Sequence, residues 1–167
     1  MNKSMLTARE REIVNLSTSI AAGCQPCTKY HVKKCTDAGI SDTLICDVTK
    51  KTKQICNQAI EIMTEEVFNT LSIGQNKEIL THIGIDSKTE ILIGLAATYS
   101  MNSTVLFEIF LNHATKQKIG EQQISELIEI TRFIHSKAKA HVDMLCDKRG
   151  IDSISNENKD CASGCTC

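Results

Sequence analysis

Apolar residues recur three and four positions apart along most of this chain, the spacing of amphipathic helices rather than of alternating strands. After Gly120, the residues Ile124, Leu127, Ile128, Thr131, Ile134, Ala138, Val142 and Leu145 fall on one stripe. That stripe is wide enough to face a core and predicts a helix running to about Lys148. A second stripe, Leu44, Val48, Ile55, Ala59 and Ile62, follows the turn "AGIS", where Ser41 stands in position to cap a helix. Between them lie "EEVFNTL", a short helix around residues 76–82, then "SKTEILIGLAATYSM" and "STVLFEIFLNHATKQK". One proline and eight glycines leave little punctuation for hairpins. The pattern predicts an all-α fold of about six to eight helices.

The two halves look alike. "EIVNLSTSIAAG" and then a His-bearing helix ending "AGIS" stand against "EILIGLAATYS" and then a His-bearing helix ending "IGEQQIS". This predicts a duplicated helical unit. Aligning His113 with His31 would put Leu106 and Ile109 at the places of Cys24 and Cys27, so only one half would carry the chemistry described below. Beyond Gly150 the sequence "IDSISNENKDCASGCTC" loses its period and turns small and polar. The expected organisation is a helical domain over residues 1–148 and a flexible tail over residues 149–167. The tail cysteines Cys161, Cys165 and Cys167 suit a tethered thiol carrier or a soft-metal chelator.

Charge narrows the function classes. The 19 lysines and arginines nearly balance the 20 aspartates and glutamates and are scattered, so the basic footprint of a nucleic-acid binder is missing. "MNKSMLTARE" leads into charge rather than an apolar signal run, and no segment approaches the about 18 apolar residues of a membrane span, so a cytoplasmic protein is expected. Nine cysteines, odd in number and irregularly spaced, argue against an extracellular disulfide framework. Cys46, Cys56 and Cys146 stand among apolar residues in helical stretches and read as small hydrophobes.

"GCQPCTKYH", residues 23–31, concentrates the chemistry. Gly23 closes one helix and the next starts inside "CQPC", where a proline is tolerated because first-turn amides lack intrahelical partners. A thiol at a helix N-terminus is held toward its anion by unpaired amides and the macrodipole. Cys27 is the better-placed nucleophile and Cys24 the sulfur that closes a disulfide with it, while His31, four residues on, can relay the proton. Zinc is a rival occupant, since Cys24, Cys27, His31 and Cys35 are all ligand types. A helix rises about 16 Å from 24 to 35 at roughly 1.5 Å per residue, too far for one ion to collect all four, which leaves open a site of Cys24, Cys27 and His31 with a distant ligand. A thioredoxin fold would need a strand before the motif and a βαβ pattern around it, and neither is present.

Glu12 stands twelve positions before Cys24, and the run Glu12, Cys24-Gln25-Pro26-Cys27, His31, Gly39-Ile40-Ser41 resembles the alkyl hydroperoxidase D branch of the carboxymuconolactone decarboxylase superfamily. The resemblance implies an all-helical, internally duplicated fold assembled as a homotrimer or homohexamer. It also implies a proton relay in which Glu12 orients or deprotonates His31, His31 activates Cys27, and Cys24 resolves. Read alone, Glu12 is one solvated carboxylate beside Glu10 and Arg11, and His31 a core histidine. Some family members carry a second histidine between the cysteines, where this chain has Pro26. The remaining histidines, His82, His113, His135 and His141, match no motif and read as structural or exposed. The implied activity is a thiol–disulfide oxidoreductase that reduces hydroperoxides or partner disulfides, with no cofactor or metal and a lipoylated protein or a peroxiredoxin as reductant. The contrasting reading is a non-enzymatic helical module that binds zinc or senses oxidation.

Overall fold

Thr7 starts the first helix, α1 (Ala8–Ala21), with a capping box: its hydroxyl accepts the Glu10 N–H at 3.2 Å while the Glu10 carboxylate accepts the Thr7 N–H at 2.8 Å. In this computed structural model, which describes residues 5–71, 85 and 87–151, five further helices follow. They are α2 (Gln25–Asp37), α3 (Asp42–Thr70), α4 (Lys88–Ser100), α5 (Thr104–Lys116) and α6 (Glu121–Lys148). All the elements among the described residues are helices, as the spacing predicts. Ser41 caps α3 as expected, accepting the Leu44 N–H at 3.3 Å. "EEVFNT" proves to be the end of α3 rather than a separate segment, because no breaker interrupts its period. The helix expected around residues 76–82, and all but the first residues of the tail expected from 149, lie outside the described residues.

The elements repeat as two units of short, short and long helix, with 14, 13 and 29 residues in the first and 13, 13 and 28 in the second. Their turns match in register. The Cys24 and Ser103 amides reach back to Ser19 and Thr98, and the Ile40 and Ile119 amides to Cys35 and Ala114. Gly23 (φ 65°) and Gly39 (φ 70°) take the left-handed conformation such a turn requires, and Asn102 (φ 54°) and Lys118 (φ 55°) take it in the second unit. This corrects the expected alignment by one helical turn. Phe110, not His113, occupies the place of His31, and Ser103 and Leu106 the places of Cys24 and Cys27. A shared histidine was a poor marker; the backbone turns set the register.

Helices α1 and α4 form the centre, packed on each other, and each also contacts both long helices and its own short partner. Helix α4 is apolar almost all round and accordingly buries Ile91 through Thr98. Buried hydroxyls tie the centre to its surroundings. Thr52 of α3 bonds Ser17 of α1 at 3.0 Å, and the Ser17 hydroxyl lies 3.2 Å from the Ile93 carbonyl of α4. The α6 stripe is buried at Leu127, Thr131, Ile134 and Ala138, but Val142 and Leu145, read from sequence as core-facing, are about 60 % exposed. Cys46 is exposed rather than a core thiol, and Cys56 and Cys146 are half-buried. No helix among the described residues is long and apolar enough to cross a membrane.

Candidate functional site

Gly23 turns the chain so that Cys24 becomes the N-cap of α2, with Gln25 and Pro26 in its first turn and Cys27 next. Proline has no amide hydrogen to leave unpaired there. The Cys27 N–H points at Cys24 Sγ at 3.2 Å, the bond an N-cap oxygen ordinarily receives. The two sulfurs are joined to each other, with Cα atoms 5.3 Å apart. Ala138 of α6 and Ala22 pack over the pair, leaving Cys24 5 % and Cys27 7 % exposed. Small residues here let α6 approach without sealing the sulfurs. Cys27 lines a cavity of about 330 Å³ between α2 and α6, together with Tyr30, His31, Phe133, Lys137 and His141.

His31 lies one turn beyond Cys27 on the same face and is buried. Its Nδ1 is 3.2 Å from Glu12 Oε2, and the Asn15 side-chain amide donates to the same carboxylate oxygen at 3.3 Å. A carboxylate only accepts, so the Nδ1 hydrogen is the one donated, and Nε2 of the neutral ring is left as acceptor. The structure thus brings Glu12 to His31, and Cys24 to Cys27. On the far side of Tyr30 and His31, a second hollow of about 510 Å³ is lined by Glu12, Asn15, Lys34 and Glu129.

The unit that lacks the chemistry shows what these polar groups replace. At the places of Glu12, Asn15 and His31 it has Ile91, Gly94 and Phe110, and the Phe110 ring lies directly against Gly94 in a fully buried position. One unit has a hydrogen-bonded polar chain where the other is solid hydrocarbon.

Cys35 is part of the core, not of the site: it is fully buried and its thiol lies 3.5 Å from the Glu12 carbonyl. Burial, and next the charge of Glu12, push its thiol up to about 11, so it stays protonated at neutral pH. We expect iodoacetamide at about pH 8 to modify exposed Cys46 of the reduced protein readily. Cys35 should react only in denaturant, as peptide mass mapping would show; fast native labelling of Cys35 would contradict its placement.

One residue escaped the sequence reading. His141, exposed on α6, brings a ring nitrogen to the dithiol so that this atom and both sulfurs all lie within 4.8 Å of one another. No motif marks it, and the packing of α6 on α2, not local sequence, places it. Cys24, Cys27 and His141 are also zinc-ligand types, so the metal rival would be completed by His141 rather than His31; joined to each other, the sulfurs offer an ion no thiolate. His113 is half-buried and His135 exposed, both away from the cavity, and His82 lies outside the described residues.

Residues 1–53 match the model of the carboxymuconolactone decarboxylase family, which includes the alkyl hydroperoxidase D-like proteins. The match contains Glu12, Cys24, Cys27 and His31, and ends before His141. No curated protein and no solved structure matches the chain.

Proposed function

We propose, from the carboxymuconolactone decarboxylase family match as premise, that this chain is a thiol–disulfide oxidoreductase reducing hydroperoxides or partner disulfides through Cys24 and Cys27. The observation that carries the reading is the bonded pair of sulfurs at a helix N-terminus, with Cys27 facing a cavity that His31 also lines. The Cys27 thiolate attacks a hydroperoxide oxygen; the O–O bond breaks, the alcohol leaves after taking a proton, and Cys27 becomes a sulfenic acid. Cys24 then attacks that sulfur and expels water, which forms the disulfide. An external dithiol, for which a lipoylated protein or a peroxiredoxin is the proposed source, restores both thiols. His31 takes the Cys27 proton at Nε2 while Glu12 holds the ring from Nδ1. A cytoplasmic location and a homotrimeric or homohexameric assembly belong to the same proposal.

Peroxide turnover with dihydrolipoamide as reductant tests it. Stoichiometric zinc in the purified protein, with no peroxide-dependent thiol loss, would overturn it in favour of the metal-binding module. The relay makes its own prediction. Glu12→Gln keeps the side-chain length but removes the charge behind His31, and turnover should fall about 10- to 100-fold, less than the roughly 10²–10⁴ of general acid–base catalysis because the imidazole itself remains. The pH profile of kcat/KM should shift with it; an unchanged rate and profile would make Glu12 merely structural.

A further inference from the structure

We propose that His141 is the second acid–base group of the dithiol, serving Cys24 during reduction of the disulfide, as His31 serves Cys27 in the peroxide step. The inference rests on the dithiol cycle proposed above and adds a residue on a different helix, outside the matched segment.

Three observations carry it. His141, not His31, completes the close cluster with both sulfurs, all three atoms lying within 4.8 Å of one another. That is within reach of proton transfer through one water. His141 and Cys27 line the same cavity, so a dithiol reaching Cys27 arrives beside the imidazole. His31 is already committed through Nδ1 to Glu12. The groups facing His141 are Lys137 from its own helix and Cys24, Cys27, Tyr30 and His31 from α2; no carboxylate lines this cavity among the described residues. Among the described residues, His141 thus has no carboxylate beside it in this cavity of the kind that holds His31.

The chemistry divides accordingly. A thiolate of the reducing dithiol, its proton given to solvent, attacks Cys27 Sγ. The S–S bond breaks, and Cys24 leaves with the electron pair, aided by the Cys27 N–H aimed at its sulfur. The His141 imidazolium gives Cys24 its proton. The neutral ring then takes the proton of the partner's second thiol, which attacks its own half of the mixed disulfide and expels Cys27 as thiolate, to be protonated from solvent. Two electrons have passed from partner to protein, and the partner leaves as a disulfide.

The test follows this step alone. The oxidised full-length protein is mixed with excess dithiothreitol, quenched in acid at intervals, alkylated and read by mass, across the range of about pH 5 to 8 in which imidazole changes charge. His141→Ala should slow reduction about 10-fold or more, as loss of a general acid does. The neutral-range pH dependence should flatten, and added imidazole should restore part of the rate. His141→Gln should behave alike, and because this position is exposed both variants should fold. An unchanged rate and profile overturns the proposal. So does a slower reaction with the wild-type pH profile and no response to imidazole, which would be lost packing alone. Because peroxide is absent, a protein that shows the His141 effect but turns over no hydroperoxide would refute the substrate class and leave this assignment intact.

Discussion

Cys27→Ser brings peroxide turnover to background and abolishes the loss of two thiols that one equivalent of hydroperoxide causes in the wild-type protein. The expectation follows from access. Both sulfurs are nearly buried, but it is Cys27 that lines the cavity between α2 and α6, whereas Cys24 is the N-cap behind it. A serine hydroxyl there is far too weak an acid to attack as an anion at neutral pH. Cys24→Ser should differ in kind: Cys27 still attacks, but its sulfenic acid has no partner, so one thiol is lost and the product is trapped by dimedone. Thiol titration with mass detection separates these results. Equal thiol loss in wild type and Cys27→Ser would remove Cys27 from its assigned role and point to exposed Cys46 or another thiol instead.

Gly94→Ala destabilises the fold by about 1–2 kcal/mol, since forcing a methyl group into a packed core costs roughly 1–3 kcal/mol and alanine's helix preference over glycine, about 1 kcal/mol, offsets part of it. Gly94 is buried within α4, and a methyl group built on it falls within the Phe110 ring. That ring is itself fully buried, and an aromatic plane cannot bend aside as a flexible side chain would. The two effects oppose, and the overlap is the larger. Urea unfolding should show a lowered midpoint with little change in slope. Gly94→Ala combined with Phe110→Leu should recover part of the loss, because the two positions share one volume. A single variant as stable as the parent would show that the helices separate at no cost and that this contact is loose.

Much of the architecture could be read from spacing, because helices announce themselves through periodic burial. The α3 and α6 stripes and the Ser41 cap needed only local sequence. The register of the repeat did not yield to it: two histidines invited an alignment that the turns at Gly23 and Asn102 displace by three residues. Helix length was legible but its covering was not: Val142 and Leu145 continue the α6 stripe in sequence yet are exposed, and periodicity alone does not say which part of a stripe is packed. The site divides the same way. Cys24, Cys27 and His31 lie within one turn-and-helix segment, where sequence distance and spatial distance nearly agree. Glu12 was reached through a family resemblance, and its contact with His31 depends on how α1 crosses α2. His141 lies more than a hundred residues from the cysteines, and nothing local marks it as their neighbour.

The pairing of a hydrogen-bonded polar chain in one unit with packed hydrocarbon at the same places in the other gives the molecule two separate tolerances to change. On the proposed function, exchanges at Asn15 or Glu12 should alter reactivity while the frame holds, and exchanges at Gly94 or Ile91 should strike the frame while the sulfurs stay as they were. A lineage descended from such a chain could retune its chemistry through one copy without endangering the scaffold, which the silent copy guards.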